Sequence, residues 1–120
     1  MTALATVLVL AVAAIHVYIL ILEMFLWRTE RGRQAFGTEQ EFADRSAQLA
    51  ANQGLYNGFL AAGLVWGAIA ADPVGFQVRV FFLGCVIVAG VYGALTVNRR
   101  ILVVQAAPAI IALAVVLLTR

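Results

Sequence analysis

Four apolar stretches, each close to the length of a membrane-crossing helix, fill most of this chain and decide what it can fold into. They run over about 3–27, 49–71, 78–97 and 101–118. An α-helix rises about 1.5 Å per residue, so roughly 20 residues cross the ~30 Å hydrocarbon core of a bilayer. Of the 120 residues, 64% are apolar and only 12% charged. A soluble globule of this size leaves too much surface exposed to hide that much apolar side chain. A segment in lipid must satisfy its own backbone polar groups, and the strand-like alternation of a barrel is missing. The sequence therefore predicts an all-α protein, a four-transmembrane-helix bundle with residues 1–120 forming a single integral membrane domain.

The connections are short except the first, residues 28–47, which carries most of the charge. Within it, Thr38-Glu39-Gln40-Glu41 has the pattern of a capping box, with Thr38 capping a helix that starts near Glu39. Asp72-Pro73-Val74-Gly75 and Asn98-Arg99-Arg100 read as turns. All eight basic residues are arginines. Arg28, Arg31, Arg33, Arg45, Arg99 and Arg100 fall on one side of a four-span arrangement, and only Arg79 and Arg120 on the other. Positive charge stays cytoplasmic, so the expected protein is a multi-pass resident of the cell (inner) membrane with both termini outside. The first segment is expected to remain as an uncleaved anchor. The arginines form no patch for nucleic acid, and the partner implied by their placement is the lipid bilayer.

Ionisable and amide side chains inside such spans are costly, which makes them the informative residues. His16 and Glu23 stand seven residues apart in the first span, two helical turns on one face. The second span opens with Asn52-Gln53-Gly54-Leu55-Tyr56-Asn57. Tyr92 lies near the end of the third span, and Gln105 one turn into the fourth, followed by Pro108. Counting along the helices places Glu23, Asn52, Gln53, Tyr92 and Gln105 within about 6–8 Å of the cytoplasmic face, with Asn57 and His16 deeper, at roughly 15 Å. This clustering predicts a polar pocket in the cytoplasmic half of the bundle. Glu23 would be its acid, base or counter-ion and His16 a second proton carrier. Asn52, Gln53, Tyr56, Asn57, Tyr92 and Gln105 would bind and orient a ligand.

Each of these residues also has a plainer reading. Amides and histidines tie helices together, a glutamate near an interface pairs with Arg28 or Arg99, and Trp27 and Tyr92 suit an interfacial aromatic belt. The glycines of Gly54-xxx-Gly58 and Gly63-xxx-Gly67, with Gly90 and Gly93, suit close helix packing or a contact in a homo-oligomer. Cys85 reads as a small apolar residue. Pro108 should kink the fourth span near Gln105 and free a carbonyl. No metal-ligand pattern exists, since His16 and Glu23 alone are too few. His16 offers a haem one axial nitrogen and nothing more, so the cofactor stays undefined.

The runs Glu23-Met24-Phe25-Leu26-Trp27, Arg31-Gly32-Arg33, Phe36-Gly37 and Ala51-Asn52-Gln53-Gly54-Leu55-Tyr56-Asn57-Gly58 resemble a bacterial and fungal membrane family, domain of unknown function thirteen-oh-four. Ala89-Gly90-Val91-Tyr92-Gly93-Ala94 and Gln105-Ala106-Ala107-Pro108-Ala109 extend the likeness over essentially the whole chain. The resemblance implies a four-span protein and no particular activity. A fainter similarity is to styrene oxide isomerase, a small four-span protein with an Asn-Gly pair in its second helix and a haem-binding histidine nearby. This chain has Asn52 and Gln53 in place of that histidine.

Three functions fit these observations. The first is an intramembrane enzyme or binding protein for a small apolar molecule. The second is a proton-coupled transporter using Glu23, and the third is a structural membrane subunit.

Overall fold

The computed structural model describes residues 1–120. It is all-helical, with α1 (Ala3–Met24), α2 (Glu30–Phe36), α3 (Gln40–Ile69), α4 (Val74–Thr96), a π-helical turn (Leu102–Ala106) and α5 (Ala107–Leu118). Two of these, α1 and α4, are long and apolar enough to cross a membrane. The 30-residue α3 is longer, about 45 Å, but Asn52, Gln53 and Asn57 dilute its apolar half. The last apolar stretch, Leu102–Leu118, is shorter. The helical class is as the sequence predicts, and two of the four expected spans meet the length and composition required.

By its contacts the chain divides into two compact units, one of Met1–Ile15 with Leu60–Arg120 and one of His16–Phe59. In the first unit, a core forms from Ala5, Val9, Val12 and Ala13 of α1, Leu64 of α3, Leu83 and Val86 of α4, and Ala109, Ala112 and Val116 of α5. The three- and four-residue spacings put these small side chains on one face of each helix, which lets the backbones approach closely. Outside that core the helices present large apolar residues, among them Phe81, Val88, Leu95 and Leu118. Pro108 has no amide to give, and its ring collides with the carbonyl four residues back in a regular helix. The helix answers by widening: the Ala107 N–H bonds to the Leu102 carbonyl, five residues back. The Val103 carbonyl thereby loses its ordinary donor. The distortion expected at Pro108 thus takes the form of a π-helical turn rather than a simple kink.

In the second unit, the stretch read from sequence as a charged connection contains α2. Thr29 caps it, its side chain accepting from the Gly32 N–H, and Glu30 sits in the first turn. Gly37 ends it in the left-handed region, φ 67°. There the Gly37 and Thr38 N–H groups both return to the Arg33 carbonyl. The predicted cap at Thr38 does not form. The Thr38 hydroxyl is buried without a partner, and the Glu39 carbonyl accepts the first helical bond, from Ala43 N. Thr38 is one residue too early to be the cap of α3.

Polar contacts then tie this connection to the start of α3. Arg28 pairs with Asp44 at 2.9 Å, and the Gln40 amide donates to the same carboxylate oxygen at 2.8 Å. The Gln40 amide and the Arg28 guanidinium hold the Asp44 carboxyl below its usual range. Trp27, expected as a belt aromatic, donates its indole N–H to Ser46 Oγ at 3.1 Å and packs on Phe36.

Candidate functional site

The second unit contains a direct meeting of predicted site residues. Asn57 Nδ2 donates to Glu23 Oε1 at 2.6 Å and also to the Gln53 carbonyl at 3.3 Å, which uses both amide hydrogens. Glu23 is 7% exposed and Asn57 5%. The approach depends on glycine. A side chain at Gly54 would meet Met24 Cγ at 2.6 Å, Glu23 Cβ at 3.1 Å and the Leu20 carbonyl at 3.2 Å, and one at Gly58 would meet Leu20. Within this unit, Ala43, Ala50, Gly54 and Asn57 are the buried positions of α3. The glycine positions read as packing devices therefore also bring the carboxyl and amide together.

His16, two turns before Glu23, is fully buried and engaged in an interaction of its own. Asn52, Gln53 and Tyr56 are exposed on α3. Gln53 contributes its carbonyl to Asn57, and Tyr56 lies edge-on to Phe59. In the first unit, Tyr92 is 68% exposed, outside that unit's core, and its carbonyl accepts from the Thr96 hydroxyl. Gln105, half-buried within the π-helical turn, also has a partner. Beside the pair, a surface depression of about 620 Å³ is lined by Met24, Arg45, Gln48, Leu49, Asn52 and Leu55, among others. Met24 directly follows Glu23, and Asn52 and Leu55 bracket the Gln53–Gly54 dipeptide. The lining mixes one cation and two amides with apolar groups. No group of acidic, histidine or cysteine side chains could hold a metal ion.

Sequence reading assigned Arg79 only to the charge count, yet it is among the most buried polar residues, 3% exposed. Its Nη1 donates to the Gly67 carbonyl at 2.8 Å and its Nη2 to Asp72 Oδ1 at 3.1 Å. Asp72 also accepts the Phe76 N–H at 2.9 Å, so one carboxylate closes the start of α4 and anchors the arginine. The sequence signal was the spacing of an acid and a base seven residues apart, one helical face, across the second turn. Partial desolvation raises the Asp72 pKa, but the hydrogen bond and charge of Arg79, with the Phe76 amide, outweigh it and leave the carboxyl below its usual range. A lowered carboxyl stabilises the fold fully above its unfolded pKa and loses that contribution as pH falls through the folded one. Asp72→Asn keeps an acceptor oxygen and removes the charge. It should melt below wild type at neutral pH, and the gap should close on acidification below the usual carboxylate range. A pH-independent gap in thermal melts would refute the ion pair.

Residues 10–117 match the family described as "Protein of unknown function (DUF1304)". The chain belongs to this family. Among curated proteins, the uncharacterized protein YpaA of Lactococcus lactis subsp. lactis (strain IL1403) is 35% identical over 115 residues, covering 94% of this chain and 96% of that protein. No solved structure matches. The family match includes every residue of the Glu23–Asn57 pair and of the Arg79–Asp72 pair.

Proposed function

We propose that this chain is a four-span membrane protein and that its Glu23–Asn57 pair anchors a small, largely apolar molecule bearing one polar group. The observation that carries this reading is the direct hydrogen bond between two side chains that are each more than nine-tenths buried. Such a pair inside an apolar chain is costly to build. Helix packing alone is served as well by the alanines and glycines beside it. The depression lined by Met24, Arg45 and Asn52 supports a ligand with an apolar body and a polar end. His16, on the same face of α1, is a second proton carrier should the bound molecule be transformed rather than merely held.

Support for the membrane comes from α1 and α4, from the apolar stretches 49–69 and 102–118, and from the large apolar side chains on the outside. The arginine bias favours an inner-membrane orientation with both termini outward.

Native mass spectrometry of the protein purified in detergent, with an absorption spectrum, tests the site. Wild type should carry a stoichiometric small-molecule adduct, and Glu23→Gln and Asn57→Ala should each lose it. A wild-type protein that carries nothing, or variants that retain the adduct fully, would overturn the reading.

A further inference from the structure

A second polar site lies in the first unit and shares no residue with the Glu23–Asn57 pair. A cavity of about 200 Å³ is walled by Asp72, Phe76, Arg79, Val116, Thr119 and Arg120, with Met1 and Pro73 completing it. Among the lining side chains two guanidinium groups stand against one carboxylate, an excess of positive charge. Asp72 is already engaged by Arg79 Nη2 and the Phe76 N–H. Arg79 is held rigidly, its side chain 4% exposed. Its Nη1 and Nη2 each have one N–H engaged and one left over, and its Nε N–H is buried with no acceptor. A buried cationic donor left unanswered is unfavourable, and such atoms are normally satisfied by an oxygen. The Arg120 guanidinium lies 4.5 Å above the Phe76 ring, a cation–π contact that holds it at the cavity wall. The amino end of α4, whose dipole favours negative charge, lies at the same place, with the Gly75, Phe76 and Gln77 N–H groups already engaged by the Ala71 carbonyl, the Asp72 carboxylate and the Pro73 carbonyl.

We propose that this cavity binds a phosphate oxyanion, with the Arg79 and Arg120 guanidinium groups as its donors. The chemistry follows from the donors, because a planar guanidinium matches the oxygen spacing of phosphate. Size agrees: a water's share of liquid volume is about 30 Å³, so the cavity admits a phosphate with its ester linkage. The oxyanion has two possible sources, a phospholipid headgroup or free phosphate. In a four-span arrangement with both termini outward, the turn between α3 and α4 lies at the outer membrane surface, at the depth of the outer-leaflet headgroups.

The test uses the full chain in dodecyl maltoside. It compares binding of phosphatidylglycerol with that of the diacylglycerol of the same tails, by native mass spectrometry, and adds a titration with inorganic phosphate read by thermal shift. Wild type should prefer phosphatidylglycerol about tenfold, the order of one charge-assisted hydrogen bond. Arg79→Gln and Arg120→Gln should each abolish the preference, whereas Arg99→Gln should not. Arg120→Gln carries the test if Arg79→Gln fails to fold, because Arg120 has no part in the Asp72 ion pair. A thermal shift with phosphate but no lipid preference, lost in the Arg120 variant, assigns the site to free phosphate. Neither preference nor shift in wild type, or both unchanged in Arg120→Gln, overturns the proposal.

Discussion

Asn57→Ala should destabilise the protein by about 1–3 kcal/mol, because it strands the Glu23 carboxyl among packed side chains without its donor. The hydrogen bond at 2.6 Å and the near-complete burial of both residues leave water no easy replacement. Glu23→Gln should cost less, since its carbonyl oxygen can still accept from Asn57. Glu23→Leu should fall between them, because the Asn57 amide keeps its second acceptor, the Gln53 carbonyl. The decisive variant is the double one, Glu23→Leu with Asn57→Ala. Removing both polar groups removes the unmet desolvation cost, so the double variant should be more stable than the sum of the singles requires. Equilibrium unfolding in detergent, followed by Trp27 and Trp66 fluorescence, gives all four values. An Asn57→Ala protein as stable as wild type, or strictly additive losses, would show that the two side chains do not interact. A well-folded double variant that has lost its small-molecule adduct would show that the pair serves binding more than stability.

That pair is also the part of the site most legible in the sequence. A glutamate inside an apolar run and an asparagine flanked by Gly54 and Gly58 mark themselves by cost, and only close helix approach joins them. What the sequence withheld was rotation. Counting residues gives depth along a helix but not which way a side chain turns. Asn52, Gln53 and Tyr56 share the depth of the site yet lie on the exposed side of α3, while Gly54 and Asn57 lie on the buried side.

Capping shows the same limit at shorter range. Thr38 has the full Thr-x-x-Glu pattern and makes no cap, whereas Thr29 lacks an acid at the third position and caps α2. A single hydroxyl chooses between neighbouring starts according to which carbonyl begins the helix, and composition does not record that choice. Arg79 was hidden for another reason. An arginine at a segment end normally extends to the surface, and only the Asp72 carboxylate and Gly67 carbonyl turn it inward.

The same substitution six residues apart in α4 should have opposite effects. Gly84 has nothing within 4 Å of where a Cβ would stand. Gly84→Ala should therefore keep the helix-propensity gain of roughly 0.5–1 kcal/mol. At Gly90 the new methyl would lie 2.8 Å from both the backbone nitrogen and the Cβ of Ala106, and 3.1 Å from its Cα. Those atoms belong to the π-helical turn, whose backbone is already committed by the missing amide of Pro108 and cannot swing aside as a flexible side chain does. Separating the two segments costs about 1–3 kcal/mol by the usual scale of overpacking, more than the propensity gain. Gly90→Ala should thus unfold earlier than wild type and Gly84→Ala later, in the same detergent and by the same fluorescence readout. Equal shifts for the two variants, or a stabilised Gly90→Ala, would mean that α4 does not rest on the widened turn. The packing that positions Gln105 beside it would then have to be abandoned.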